Sequence, residues 1–188
     1  MKPKRVQDRF FFAVLPPDET AARIAAHARA MGLKHSLVTA DRLHMTLAIT
    51  DDFEKGECPP AYVETLLRAG ERIAAAPFAM TLGKVAVGEK SILAQPAEGR
   101  AGGKAVYDCI AQAMAGMRAP LRDGGRYSPH MTLSYDTDVK SRGLRKLGFR
   151  WQVTEVVLIH SMVGLHRHVV LNRWPLVAPL QRQASFAF

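Results

Sequence analysis

The tetrapeptide His-Met-Thr-Leu occurs twice in this chain of 188 residues, at 44–47 and again at 130–133, nearly half the chain apart. Histidine changes protonation near neutral pH, so one imidazole can accept a proton while a second donates one. Threonine hydroxyls can donate hydrogen bonds to oxygens that carry developing negative charge. Two His-x-Thr pairs therefore predict acid–base chemistry at a phosphorus centre, provided that folding brings the two copies together.

Both copies lie in stretches that predict β-strands, "DRLHMTLAIT" and "SPHMTLSYD". Because a strand points successive side chains to opposite faces, His44 and Thr46 share one face and Met45 lies on the other. The same alternation places His130 and Thr132 on one face of the second strand. We therefore expect apolar residues to anchor each strand in a core, while four polar groups converge on one concave site.

Short strands alternate with helices along the rest of the chain. Strands are predicted at 9–17, 42–50, 78–88, 91–97, 128–136, 151–164 and 167–177, and helices at 18–32, 58–75 and 102–117. Hairpin-like connections indicate antiparallel pairing, so the expected fold class is α+β rather than a doubly wound parallel sheet. One domain over 1–188 is expected, as a bilobal duplicated unit of two pseudo-symmetric lobes. Two mainly antiparallel sheets would face each other across a central cleft, with helices on the outside.

The composition narrows the class of protein. Hydrophobic residues make up 48% of the chain, enough for a core, and no apolar run approaches the roughly 20 residues of a membrane span. The N-terminal stretch predicts a first strand rather than a signal peptide. Two cysteines without a C-x-x-C pattern suggest neither a disulfide framework nor a zinc site. We expect a cytoplasmic monomer with no membrane association, no metal and no cofactor.

Positive charge is concentrated towards the C-terminus. The formal net charge is +9, and from residue 140 onwards the chain has eight Lys or Arg residues and a single acid, Glu155. Such a sector favours a polyanionic partner, because binding a nucleic acid releases its condensed counterions. A solvated basic surface that promotes solubility is the alternative interpretation.

The doubled motif resembles the pair of H-x-T/S motifs in the two-histidine (2H) phosphoesterases. Within that group the chain is similar to the bacterial and archaeal RNA 2′,3′-cyclic phosphodiesterases, also called 2′-5′ RNA ligases. The resemblance extends over nearly the whole chain. "RFFFAVLPPDE" is similar to the family's opening strand and helix entry, and "FRWQVTEVVLIHSMVGLHRHVVLNRWPL" is similar to its closing hairpin.

The resemblance implies a metal-independent hydrolase that converts 2′,3′-cyclic phosphates of RNA ends or nucleotides to 2′-phosphates. Microscopic reversibility also allows 2′-5′ ligation. It implies that His44 protonates the departing 3′-oxygen and that His130 activates water. Thr46 and Thr132 would bind the phosphate oxygens.

Two positions depart from the family pattern. Ile49 stands where the first motif commonly continues to an aromatic residue, and Tyr135 stands where many members have an arginine. Tyr135 offers a hydroxyl and a stacking face to a ligand. Phe12 or Phe11 is expected to supply a further stacking surface. The departures leave open two alternatives: a non-catalytic RNA-binding module on the same fold, or a phosphodiesterase for another nucleotide-type substrate.

The remaining histidines are assigned more modest roles. His27 and His35 are expected at the surface, and His160 alternates with apolar neighbours, which suits a core or a cleft residue. His166 and His168 lie in a basic turn, where solvent exposure is expected.

Overall fold

The protein is described here by a computed structural model that covers residues 6–33, 36–122, 127–135 and 146–178. The described strands are β1 Gln7–Val14, β2 Met45–Glu54, β3 Phe78–Val87, β4 Ile92–Glu98, β5 Met131–Ser134, β6 Arg150–Val153, β7 Glu155–Val163 and β8 Arg167–Pro175. The described helices are α1 Asp18–Ala30, α2 Pro60–Glu71 and α3 Arg100–Gly116, with a 3₁₀ turn at Ala40–Arg42.

Within the described residues, the strands form one curled antiparallel sheet in the order β6-β3-β4-β5-β2-β1-β7-β8. This confirms the α+β class and the antiparallel pairing. The expected arrangement of two sheets facing each other across a cleft is not confirmed, since the described strands belong to one sheet. Met45 lies opposite Met131 where β2 pairs with β5, so the two motif strands are neighbours in one sheet rather than opposite walls.

The long strand predicted at 151–164 is two strands. β6 pairs with β3 and β7 pairs with β1, and Thr154 between them belongs to neither strand. The chain therefore passes from one side of the β2–β5 junction to the other at this residue. The predicted closing hairpin is confirmed, because β8 pairs with β7 and places the C-terminal strand at the edge of the sheet.

All three helices cover the same face of the sheet. α1 begins directly after two prolines, with Asp18 and Glu19 in its first turn, where negative charge favours the positive end of the helix dipole. Its buried stripe includes Ile24 and Ala28 and joins the main core. α2 and α3 contribute to the same core through Leu66 and several residues of α3. No helix in the described ranges is long and apolar enough to cross a membrane.

The opposite side of the sheet, which we call the open face, carries a smaller apolar cluster. Strand alternation sends Phe10 and Phe12 into the main core and Phe11 to the open face. The buried members of this open-face cluster are Phe11, Ala13, Val157 and Ile159, with Leu15 and Ile49 packed at its edge. This cluster forms the apolar floor beside the two motifs.

Candidate active site

The register between β2 and β5 determines which motif residues are neighbours. Met45 and Met131 lie opposite each other and are fully buried in the main core. Continuing this antiparallel register by one residue in each direction sets His44 beside Thr132, and Thr46 beside His130. Side chains opposite each other on one face are about 4.5–5.5 Å apart at Cβ. The four polar side chains thus form a compact group on the open face, where each is half-buried.

Both motif histidines make the same backbone hydrogen bond. The Nδ1 of His44 lies 2.7 Å from the carbonyl oxygen of Arg42, and the Nδ1 of His130 lies 2.9 Å from that of Ser128. A carbonyl oxygen only accepts, so each Nδ1 carries the hydrogen and donates it. The neutral form of each ring therefore has its lone pair on Nε2, which is the atom left to exchange protons with a ligand.

Aromatic contacts hold the ring of His44. Phe11 stacks on it with the ring centroids 4.7 Å apart and an interplanar angle of 26°. His168 of β8 contacts both rings edge-on, with its centroid 5.2 Å from His44 and 5.7 Å from Phe11. Since Phe11 is only 3% exposed, it is a fixed platform that restricts the motion of the imidazole.

The segment that leads to His130 packs against α3. The rings of Tyr127 and Tyr107 lie 5.5 Å apart, and the hydroxyl of Tyr127 reaches the backbone of Gly103. A Cβ atom at Gly103 would come within 2.2 Å of that oxygen, so this helix position requires glycine. Burial raises the pKa of Tyr127 to about 12. Tyr127 is therefore a neutral anchor three residues before His130.

Electrostatics keep two imidazoles of this group neutral. Burial lowers the pKa of His44; the bond to the Arg42 carbonyl opposes this, and the charges of Arg42 and His130 lower the pKa further. Burial likewise lowers the pKa of His168 to about 4, with further contributions from His44 and Arg42. At pH 7 in the ligand-free protein, His44 and His168 are both uncharged.

A charged cluster joins β1 to the C-terminal half of β2. Arg9 donates two hydrogen bonds to Asp52, at 2.7 and 2.6 Å, and Arg122 also donates to Asp52. The bond from Arg9 lowers the pKa of Asp52, although burial opposes this, and Arg122 adds to the lowering. Tyr135 is 56% exposed. The hydrogen bond to Asp52 is the main cause of the raised pKa of Arg9, and Tyr135 contributes to it. Tyr135 therefore lies near this cluster.

The position of Phe12 corrects its expected role. Phe12 is fully buried on the helix-covered face, with its ring 6.0 Å from Trp174. Alternation along β1 puts Phe11 rather than Phe12 on the open face, so Phe12 packs the core and cannot stack on a ligand. Ile49 lies opposite Phe11 in the register of β1 and β2 and extends the apolar floor.

Of the histidines outside the motifs, His168 differs from its expected role. Solvent exposure in a turn is the expectation for His168, but β8 begins at Arg167, and the ring of His168 lies half-buried against His44. His160 is half-buried, packs on Phe10 and bonds Asp8 at 2.7 Å, in line with the expected core or cleft position. His166 is exposed, as predicted, and His35 lies outside the described residues.

Two residues near the motif histidines are not indicated by the motifs themselves. One is His168, whose partner in the first motif is more than 100 residues away in sequence, so no local pattern indicates the contact. The other is Arg42, two residues before His44. Arg42 ends the 3₁₀ turn Ala40–Arg42, so strand alternation does not predict its position. Across the described ranges, no group of three or more His, Cys, Asp or Glu residues is arranged to hold a metal ion.

Comparison with known proteins identifies the family of this protein. The family model described as the 2′-5′ RNA ligase superfamily matches residues 16–164. The crystal structure of E. coli LigT complexed with 3′-AMP superposes with a TM-score of 0.74 at 24% sequence identity, covering 91% of this chain and 99% of that chain. The crystal structure of TT0787 of Thermus thermophilus gives a TM-score of 0.68 at 22% identity, covering 90% and 98%. A comparison with curated proteins gives no match.

The fold and the family match are those of a two-histidine phosphoesterase-type enzyme. The family match covers most of the chain, and the protein belongs to the 2′-5′ RNA ligase superfamily. This confirms the resemblance drawn from the doubled motif, the opening strand and the closing hairpin.

Proposed function

We propose that this protein is a metal-independent phosphodiesterase that hydrolyses 2′,3′-cyclic phosphates of RNA ends or nucleotides to 2′-phosphates. The observation that carries the proposal is the register of Met45 opposite Met131. That register brings two imidazoles and two hydroxyls to one side of one sheet. Both imidazoles have Nε2 free for a ligand, because Nδ1 of each is bonded to its own backbone.

The proposed reaction is an in-line displacement at phosphorus. The Nε2 of His130 accepts a proton from water as the water oxygen forms a bond to phosphorus. The bond between phosphorus and the 3′-oxygen breaks, and His44 donates the proton that this oxygen takes up. The product keeps its phosphate on the 2′-oxygen. The two histidines exchange protonation states in each turnover, and solvent restores them.

His44 must bind a proton before it can act as the acid. Its lowered pKa leaves it neutral in the ligand-free protein at pH 7. A bound phosphodiester is an anion, and a nearby negative charge favours the protonated imidazole. The same lowered pKa makes the protonated ring a stronger donor once it is formed. Substrate binding would thus favour the protonated form of His44, which the reaction requires.

The threonines are assigned to the non-bridging oxygens. Extending the register of Met45 and Met131 by one residue sets Thr46 beside His130 and Thr132 beside His44, so each hydroxyl is expected next to the histidine of the other motif. Hydrogen bonds from these hydroxyls would hold phosphorus between the two imidazoles and stabilise charge on its oxygens. The crystal structures of E. coli LigT complexed with 3′-AMP and with phosphate support a nucleotide-type substrate for this fold.

The direct test is an assay with a 2′,3′-cyclic nucleotide in the presence of EDTA. We expect release of the nucleoside 2′-phosphate, distinguished from the 3′-isomer by ³¹P NMR. Formation of the 3′-phosphate would contradict the assignment of the leaving oxygen. No turnover of any 2′,3′-cyclic nucleotide or RNA end would contradict the proposed activity.

A non-catalytic RNA-binding module is the second candidate, and the exposed ring of Tyr135 favours it because the ring can stack on a base. The two candidates differ in one measurable respect. A binding module would bind an RNA with a 2′,3′-cyclic end and release it unchanged. A panel that includes 2′-5′-linked oligonucleotides would identify a phosphodiesterase with another nucleotide-type substrate.

A further inference from the structure

No Lys or Arg directly follows the second motif in the sequence. Tyr135, the first residue after β5, offers a hydroxyl rather than a positive charge. The two guanidiniums of the charged cluster near Tyr135 are already engaged, because Arg9 and Arg122 both donate to Asp52, and Arg122 also approaches Asp51 at 3.6 Å. Two positive charges are thus matched by two negative charges, which leaves this cluster little attraction for an anion.

Arg42 occupies a different position at the same site. Its backbone carbonyl accepts the hydrogen bond from Nδ1 of His44, and Leu43 beyond it is buried in the core. Arg42 is the last residue of the 3₁₀ turn that leads to His44. The ring of His168 lies 5.2 Å from that of His44, so Arg42 borders a group of two imidazoles.

Among the residues that the structure describes, the side chain of Arg42 has no partner for its charge. Its Nε is buried and makes no hydrogen bond, and none of the salt bridges between described residues involves Arg42. Its charge acts on both His44 and His168, in addition to the larger effect of burial, to lower their pKa values. A half-buried guanidinium beside neutral imidazoles is incomplete without an anion, since an unsatisfied buried donor costs free energy.

We propose that Arg42 binds the phosphate group of the ligand in the open-face site. The guanidinium approaches the phosphate from the loop before β2, on the side of His44 and His168. A planar guanidinium can donate two parallel hydrogen bonds to phosphate oxygens. The inference rests on the proposed function for its ligand class, a nucleotide phosphate.

The test measures the affinity for inorganic phosphate in four forms of the full chain: wild type, Arg42→Gln, Arg42→Lys and Arg68→Gln. Arg68 is exposed on α2, on the helix-covered side, and its substitution removes the same charge away from the site. We expect Arg42→Gln to weaken phosphate binding by about 10-fold or more, since hydrogen bonds to charged groups are the strong ones. Arg42→Lys should keep more affinity than Arg42→Gln, and Arg68→Gln should bind like the wild type.

A second measurement separates binding from folding. Histidine side-chain NMR titration should show the pKa values of His44 and His168 rising in Arg42→Gln, because the neighbouring positive charge is gone. Phosphate affinity in Arg42→Gln within about twofold of the wild type would overturn the proposal. Equal losses of affinity in the Gln and Lys variants would also overturn it, because that result indicates a structural role. A wild type that binds no phosphate would overturn it as well.

The outcome is distinguishable from failure of the proposed function. A wild type that binds phosphate through Arg42 but turns over no cyclic phosphate would refute the phosphodiesterase activity and leave the role of Arg42 intact. Turnover that persists with full phosphate affinity in Arg42→Gln would refute the role of Arg42 alone.

Discussion

Met45 and Met131 lie directly opposite each other where β2 meets β5, both with 0% exposure. This pair fixes the register of the motif strands, and the register fixes the site. A slip of one residue would turn every side chain of a strand to the other face. His44 and Thr46 would then enter the apolar core. Burial of the two methionines thus stabilises the fold and aligns the polar groups at once.

The motif histidines should be separately indispensable to turnover. We expect His44→Asn and His130→Asn each to lower kcat by about 10² or more, because each removes a proton-transfer group. Asparagine can still donate to the carbonyl that Nδ1 now bonds, so the local backbone is preserved. His166→Asn is the matched control, since His166 is exposed and has a φ of 53° that asparagine tolerates. Full activity in either motif variant would show that its histidine has no catalytic role.

The threonine hydroxyls should matter less than the imidazoles. Thr46→Val and Thr132→Val keep the shape of the side chain and delete its hydroxyl. Loss of one hydrogen bond to a phosphate oxygen should lower kcat/KM by about 10-fold. Steady-state kinetics on a 2′,3′-cyclic nucleotide would measure it, with Thr65→Val on α2 as control. A larger loss than in the histidine variants would reverse the assigned importance of these groups.

Substitutions of two adjacent phenylalanines should have similar effects on stability but different effects on activity. Phe11 and Phe12 are both buried, but only Phe11 stacks on His44. We expect Phe11→Leu and Phe12→Leu each to lower the free energy of unfolding by about 1–2 kcal/mol, because both shrink a packed ring. Only Phe11→Leu should also lower kcat, through a less restricted imidazole. Denaturant unfolding and steady-state kinetics on both variants check this, and equal kcat values would contradict it.

The stability of the protein should fall between about pH 6.5 and about pH 4. Burial lowers the pKa of His168 to about 4, so the folded state binds this proton less readily than the unfolded chain, whose histidines titrate near about 6.5. The corresponding stabilisation is present above about pH 6.5 and is lost as the pH falls towards about 4. His44, whose pKa is also lowered, acts in the same direction.

His168→Phe tests the source of this dependence. Phenylalanine keeps a ring against Phe11 and His44 and cannot bind a proton. The free energy of unfolding should therefore decrease less between pH 7 and pH 4.5 in this variant than in the wild type. His166→Asn should retain the wild-type dependence, as His166 is exposed. Identical pH dependence in His168→Phe and the wild type would exclude His168 as a contributor.

The carboxylate of Asp52 should contribute to stability through its two arginines. Its side chain is 19% exposed and that of Arg9 is 30% exposed, so the pairs are partly shielded from water. Asp52→Asn should lower the free energy of unfolding by about 1–2 kcal/mol. Asp108→Asn is the control, because Asp108 pairs with Lys104 at 54% and 51% exposure and such pairs contribute little. Equal effects of the two substitutions on the free energy of unfolding would show that the pairs of Asp52 with Arg9 and Arg122 add no more stability than the exposed pair.

The sequence by itself determined the local elements and the faces of the motif strands. Periodicity alone predicted that Met45 and Met131 enter the core while the His-x-Thr pairs face away from it, because alternation is a property of any extended chain. The helices and the hairpin of β7 and β8 followed from equally local signals. The doubled motif, with the opening and closing segments, was enough to indicate the family.

Only the tertiary structure decided which strands are neighbours. The pairing of β2 with β5, the break at Thr154 and the approach of His168 to His44 join residues that are far apart in sequence. Strand pairing and register depend on how all apolar faces are buried together, and no local pattern encodes that sum. The two motifs therefore lie side by side in one sheet, with the charge of Arg42 beside His44.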